Sequence, residues 1–275
     1  MDEISAVRDE RLARVMLACA AGPGEDHTGT LVQSIGAVET VRLALAPQTG
    51  DRSLHDQWRA WVAPRLSLEH ARAAVDATER LGAEILIPGD AAWPDRMNVL
   101  GVHGPVALWM LGDAARLQQP SVGIIGARAA TRYGTDMAGD LAADAVSNHL
   151  TVVSTGAYGI ASAAHRAALM EGGATVAVMP GGLEHPYPNG NLDIFEETSR
   201  SGALVSEVPP DAVPTKWRFE QQGRLVAALS NAVVVVEAGF RSRSLMYASQ
   251  AAEFGRPVAA APGRPPRRHL PGATD

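Results

Sequence analysis

With 275 residues, 46% of them hydrophobic, and a single cysteine, the chain holds enough material for one large domain and a smaller one. One cysteine excludes a disulfide framework or a cysteine-based metal site within the chain. No apolar run approaches the about 20 residues needed to span a bilayer, and the acidic start MDEISAVRDE lacks the basic and apolar regions of a signal peptide, so a cytoplasmic location without membrane contact is expected. The net charge of −6 is unevenly placed: residues 205–275 carry 9 basic groups against 6 acids, a surplus of +3, and the rest of the chain carries −9. A local basic face of this kind either holds phosphates or is a solvated surface.

In chain order, residues 1–80 are expected to form a helical domain of the SAM or helix-hairpin-helix type. Leu12, Val15, Met16 and Cys19 share one helical face and Leu31, Ile35, Val38 and Val41 another, with AAGPGEDHTG as the loop between them. Cys19, on an Ala- and Leu-rich helix, reads as core. LVQSIGAVETV has the Gly turn of a small helix pair, a unit that either touches DNA backbones or simply packs. Residues 81–112 supply a short strand, a Pro-rich crossing and a second strand, leading into a larger domain over 81–263. The end, 264–275, reads as a flexible tail with no winged helix after it.

Six runs carry the larger domain: SVGIIGAR (121–128), TVVSTGAYG (151–159), ATVAVMPGG (174–182), ALVSEVPP (203–210), AVVVVEAG (232–239) and PVAAAPG (257–263). Each is short, β-branched and nearly free of polar alternation, which suits a strand buried on both faces of a parallel sheet. Helical stretches fill the gaps: 134–149 with Met137, Leu141 and Ala145 on one stripe, 160–170 directly after a Gly, and 244–254 after the fifth run. The predicted fold is therefore α/β: an extended Rossmann-like parallel sheet with helices on both faces, preceded by the small helical domain. Its strand-end loops gather at one edge, where ligands bind.

The first loop, Gly123-x-x-Gly126-x-Arg128, lacks the third Gly of the dinucleotide fingerprint. It offers backbone bared by Gly126, a guanidinium two residues later and a helix start at 131–134; the second loop repeats the arrangement with Ser154, Gly156 and Gly159. Side by side, the two point to an anion site, the alternative being tight turns without a ligand.

The ordered series GIIGARAATRYG, VVSTGAYGIASAAHRAAL, TVAVMPGGLEHPYPNGN, GALVSEVPP and PTKWRFEQQGRLVAALSNAVVVVEAGFRSRSLMYASQAAEFGRPVAAAPG closely resembles the DprA/Smf family, the DNA-processing proteins of natural transformation. The resemblance runs over about residues 5–263 and is strongest from 121 to 263. It implies an 81–263 domain that binds single-stranded DNA without hydrolysing it, homodimerises, protects incoming DNA and helps load the RecA recombinase, with no cofactor and no metal. Residue by residue, Arg128 matches the family's Gly-x-Arg arginine, and Lys216 and Phe219 match the basic and aromatic positions before its Arg-Asn-Arg motif. Cations neutralise phosphates and a ring stacks on an unpaired base, so this combination fits a single strand. Gly126, Ser154, Gly156, Arg224, Arg241 and Arg243 complete the expected DNA contacts, with Trp217 either a second stacking platform or a ring buried against the sheet.

The chain departs from that pattern in three places. Gln222-Gly223-Arg224 stands for Arg-Asn-Arg, Gly159-Ile160-Ala161-Ser162 for Gly-Ile-Asp-Gly, and Arg241-Ser242-Arg243-Ser244 for Arg-Ser-Gly-Ser. A paralogue that no longer binds DNA is thus one alternative. Another is a phosphoribohydrolase-like enzyme of related fold, but its Pro-Gly-Gly loop continues with Gly-Thr, whereas Pro180-Gly181-Gly182 runs into Leu183-Glu184-His185. His165, Glu184 and His185 lack metal-ligand spacing, and Ser154 lacks the Gly-x-Ser-x-Gly elbow of a hydrolase.

Overall fold

The computed structural model describes residues 7–47 and 54–263; the expected tail at 264–275 and the first six residues lie outside them. Four helices come first: α1 (Glu10–Ala20), α2 (Asp26–Leu45), α3 (Leu54–Val62) and α4 (Leu68–Arg80). Asp9 caps α1 by accepting from Leu12 N at 2.7 Å, and Ser67 caps α4 from His70 N at 3.0 Å. α2 is broken at Gly36, whose φ of 82° only glycine adopts readily. Both Glu10 carboxylate oxygens accept from Ala37 N there, capping the second half of the helix. The break also rotates the helix, so that Leu31 and Val41 are buried while Ile35, expected on the same face, is 45% exposed.

The sheet has eight strands: β1 (Glu84–Leu86), β2 (Leu108–Gly112), β3 (Ser121–Gly126), β4 (Thr151–Thr155), β5 (Thr175–Val178), β6 (Ala203–Ser206), β7 (Ala232–Glu237) and β8 (Val258–Ala260). Their order is β1-β2-β6-β5-β4-β3-β7-β8. The six expected runs supply β3 to β8, all mutually parallel. The two strands from 84–112 pair antiparallel with each other and with β6, so the sheet is mixed rather than purely parallel. The link from β1 to β2 carries 3-10 turns at Asp95–His103 instead of the helical crossover that parallel neighbours require.

Helices α5 (Arg132–Ser147) and α6 (Ile160–Met170) lie against one face, α8 (Lys216–Leu229) and α9 (Arg243–Glu253) against the other, with α7 (Leu192–Ser201) leading into β6. α7 and α8 add to the three helical stretches read from periodicity. In α5 the buried stripe is Ala138, Ala142 and Ala145, with Met137 and Leu141 only half-buried. Small side chains there let α5 approach α6, whose Ala164, Ala167 and Ala168 face the same core. The four N-terminal helices do not enclose a core of their own: Met16, Leu17, Trp58 and Leu68 share one cluster with Trp109, Met179, Phe195 and Leu204 of the sheet region.

His165 on α6 is a core residue, 1% exposed. Its Nε2 lies 3.0 Å from the Thr155 carbonyl and its Nδ1 2.6 Å from the Thr175 hydroxyl, which itself donates to the Val152 carbonyl at 2.8 Å. Burial lowers its pKa from 6.5 to about 4, only partly opposed by the Thr155 bond. The unfolded chain therefore takes up a proton below pH 6.5 that the folded chain refuses until about pH 4, and stability falls as pH drops through that window. Denaturant titrations at pH 7.5 and pH 4 are expected to differ by about 3 kcal/mol from this group, an increment missing in His165→Gln.

Candidate nucleic-acid interface

The chain runs outward in both directions from β3, through β4 and through β7, so the crevice at the carboxyl ends of β3 and β7 is where a ligand is expected. In this protein that crevice is already filled. Glu237, at the end of β7, accepts from Thr131 N at 3.0 Å and from the Thr131 hydroxyl at 2.9 Å. Its carboxylate occupies the space a Cβ on Gly134 would need, at the first turn of α5. The positive end of that helix thus holds the protein's own anion, and a phosphate at the same place would meet like charge. The anion site expected at the first loop is corrected accordingly, and the glycines have packing duties. A Cβ on Gly126 would strike Ile160 and the Glu237 carbonyl, and the Gly126 carbonyl accepts from Ser244 Oγ at 2.8 Å.

The open surface lies alongside. Gly159, with φ 76°, caps the start of α6 while its Cα passes against the Ala127 and Arg128 carbonyls, and Ile160 N donates to Ala127 O at 3.1 Å. These contacts hold the turn that projects Arg128 from the end of β3. Its guanidinium lies 4.8 Å from the centroid of the Phe219 ring, and Tyr187 meets that ring edge-on at 5.9 Å. Together with Gly156, Tyr158, Pro180, Pro188 and Gln222 they line a recess of about 40 Å³. Among the described residues no hydrogen bond or ion pair engages Arg128, so its donors are available.

Helix α8 divides the remaining expected residues by face. Lys216, Phe219 and Gly223 follow one stripe, with Lys216 exposed at the helix start. Trp217, Gln221 and Arg224 follow another, which looks at the turn between α1 and α2: Gly22 lies beside Trp217, and Gly24 beside Gln221 and Arg224. Trp217 is 52% exposed on that second stripe. Arg224 is 4% exposed, its Nη2 within 2.5 Å of both Glu207 oxygens, and Gly24 N donates to the same carboxylate at 3.2 Å. Arg224 is therefore removed from the expected DNA contacts, being committed to a buried ion pair. Ser154 is removed too: it is fully buried and donates to Ile124 O at 2.6 Å. Gly156 forms the recess wall, with Phe195 and Met179 packed where a side chain would stand. Arg241 is exposed and Arg243 half-buried at the start of α9.

Tyr247 is the residue that motif reading missed. Burial holds its phenol above the ordinary pKa, while a hydrogen bond from Gln222 and the nearby positive charges of Arg243 and Arg128 pull it down. The charges of two of the expected cations thus act on one phenol. Its hydroxyl donates to the Phe219 carbonyl at 2.6 Å, and a Cβ on Gly223 would overlap the ring itself.

A family model for DNA recombination-mediator protein A matches residues 84–275. The chain belongs to this family. It is 38% identical over 261 residues to a DNA processing protein DprA of Mycobacterium tuberculosis, covering 90% of this chain and 65% of that protein, so it spans just under two thirds of its relative's length. A structure of DprA from Streptococcus pneumoniae superposes over 95% of this chain and 89% of its own with a TM-score of 0.75 at 24% identity, a likeness of fold. A structure of DNA processing protein A from Helicobacter pylori, solved to describe its single-stranded DNA binding mode, matches 66% of this chain and 81% of its own at 31% identity and a TM-score of 0.61.

Gly223, read from the sequence as a departure from the resembled Arg-Asn-Arg motif, packs against Tyr247. The absence of a side chain at 223 leaves the slot that the tyrosine ring fills. Gly223→Asn is expected to destabilise the fold by about 1–3 kcal/mol through overpacking, and Tyr247→Ala in the same chain to recover part of that loss, read from melting curves of the single and double variants. Arg224→Ala leaves the Glu207 carboxylate buried without its opposite charge, with only the Gly24 amide donating to it, and is expected to cost about 3–5 kcal/mol of stability in denaturant titrations, with Glu207→Gln added to it restoring a substantial share.

Proposed function

We propose that this chain binds single-stranded DNA across the Arg128–Phe219–Tyr187 recess and, through that binding, protects incoming DNA and helps load a RecA-like recombinase in transformation and recombination. The observation that carries this reading is Arg128 lying unpaired over a half-buried aromatic ring at the sheet's carboxyl edge. A guanidinium in that position can leave the ring for a phosphate, and the ring can then take an unstacked base. Lys216, exposed on the same stripe of α8 as Phe219, extends the positive track, and Arg243 at the start of α9 acts with Arg128 on Tyr247 beside it, with Arg241 exposed two residues earlier. The single-stranded DNA binding described for the Helicobacter pylori relative supports the same choice of ligand.

The role proposed is non-catalytic and needs no cofactor: the recess presents cations and rings, without a nucleophile activated by a base or a carboxylate pair poised on a water. We read 81–263 as the DNA-binding unit, covered by the helical 1–80, acting as a homodimer in the cytoplasm. No described helix is long and apolar enough to cross a membrane.

The test is a titration of fluorescent oligo(dT), with a duplex of equal length alongside, at several salt concentrations. Single strands are expected to bind more tightly, with a log–log salt slope of about −0.7 per phosphate neutralised. Arg128→Ala and Lys216→Ala should each flatten that slope by about 0.7, whereas Phe219→Ala should cost about 1–3 kcal/mol with the slope unchanged. Equal affinity for duplex and single strand would sink this reading.

A further inference from the structure

Phe240 is 95% exposed, more than any other large hydrophobic residue among those described. Its backbone is nonetheless held. Ser242 N donates to Gly239 O at 2.9 Å, which closes a turn with Phe240 and Arg241 at its two central positions, and Ser242 then caps α9 by accepting from Ser244 N. Three further bonds place this turn beside the candidate interface. Ala127 N donates to Glu237 O at 2.6 Å, Ser244 Oγ to Gly126 O at 2.8 Å and the Tyr247 hydroxyl to Phe219 O at 2.6 Å. The segment 237–247 is thereby tied on one side to the strand end that leads into Arg128 and on the other to the helix that carries Phe219. In the sheet, β3 separates β4, whose following loop lines the recess, from β7, whose following loop carries Phe240. At about 4.8 Å per strand, the two loops stand about 10 Å apart along one edge.

We propose that Phe240 is a second stacking platform for single-stranded DNA, taking a base further along the strand from the one at Phe219. The inference rests on the single-strand reading given above and extends its track past Arg128 to the end of β7. Arg241, exposed next to the ring at the tip of the turn, repeats the pairing of cation and ring that Arg128 makes with Phe219. Such a pair meets both parts of a nucleotide, the cation its phosphate and the ring its base. Glu237 holds the neighbouring helix terminus against a phosphate, but an uncharged base face meets no such opposition. Leu245 and Met246, 42% and 39% exposed on the first turn of α9, would give a second copy of the chain some apolar surface, and the test includes that outcome.

The experiment measures, by fluorescence anisotropy on the full chain, the affinity for labelled oligo(dT) of about 16 nucleotides and for an abasic strand of the same length. Phe240→Ala is expected to weaken oligo(dT) binding about tenfold with the salt slope unchanged, and to leave the affinity for the abasic strand as it is in wild type. Phe240→Tyr should keep wild-type binding, and Phe240→Leu, apolar but without an aromatic face, should lose as much as alanine. Because the ring stands in solvent, all three variants should melt as wild type does. A Phe240→Ala chain that binds oligo(dT) as tightly as wild type, or that loses affinity for both strands alike, overturns the stacking contact alone. So does one whose only change is a smaller oligomer in sedimentation, which would give the ring to a second copy. Failure of wild type to bind oligo(dT) overturns the single-strand reading together with it.

Discussion

The buried pair of Arg224 and Glu207 fixes the rotation of α8, and the arrangement of the candidate interface depends on that rotation. Both carboxylate oxygens lie 2.5 Å from one guanidinium nitrogen, with Gly24 of the α1–α2 turn donating to the same group. Three parts of the chain are joined at one point: the end of β6, the middle of α8 and the helical cover. Burial pushes the Glu207 pKa up, while Arg224 and the Gly24 amide draw it down. Such a pair contributes little net stability compared with a well-packed apolar substitute, yet it tolerates few geometries. With the 217–221–224 stripe pinned to the helical cover, Lys216, Phe219 and Gly223 must look towards Arg128 and Tyr247.

The same geometry separates what was legible in the sequence from what was not. The six parallel strands were legible because their apolar runs lack polar alternation; β4 and β5 are buried on both faces, with Val152, Val153, Val176, Ala177 and Val178 at most 2% exposed, whereas β8 at the sheet edge, read as buried from the same composition, is exposed at all three residues. The antiparallel strand β1, three residues long with its partner about twenty residues on, carries no such signal of direction. Arg128, Lys216 and Phe219 were legible as residue types at motif spacing. Arg224 and Ser154 match by type as well, but a motif does not state which way a side chain faces, and burial decided both. The compensation between Gly223 and Tyr247 joins positions 24 residues apart on different helices, beyond the reach of any local pattern.

Charge is used economically in this molecule. The helix terminus at the centre of the sheet edge, the strongest ready-made anion site of the fold, is taken by Glu237, and the exposed cations stand to one side of it. An acidic chain with that site closed retains only a narrow positive track. Such a track draws in polyanions through several weak, salt-sensitive contacts along its length instead of one tight phosphate socket.

The continuity of the core beneath the N-terminal helices bears on how this architecture can evolve. Trp109, Met179, Phe195 and Leu204 lie in one apolar cluster with Met16, Leu17 and Trp58. The helical cover is consequently not a module that recombination could exchange freely, as one exchanges beads on a string. Gene shuffling that replaced residues 10–80 would have to supply a new apolar lid of matching shape together with a partner for Glu207, so substitutions on the two sides of this seam are bound to be accepted in step.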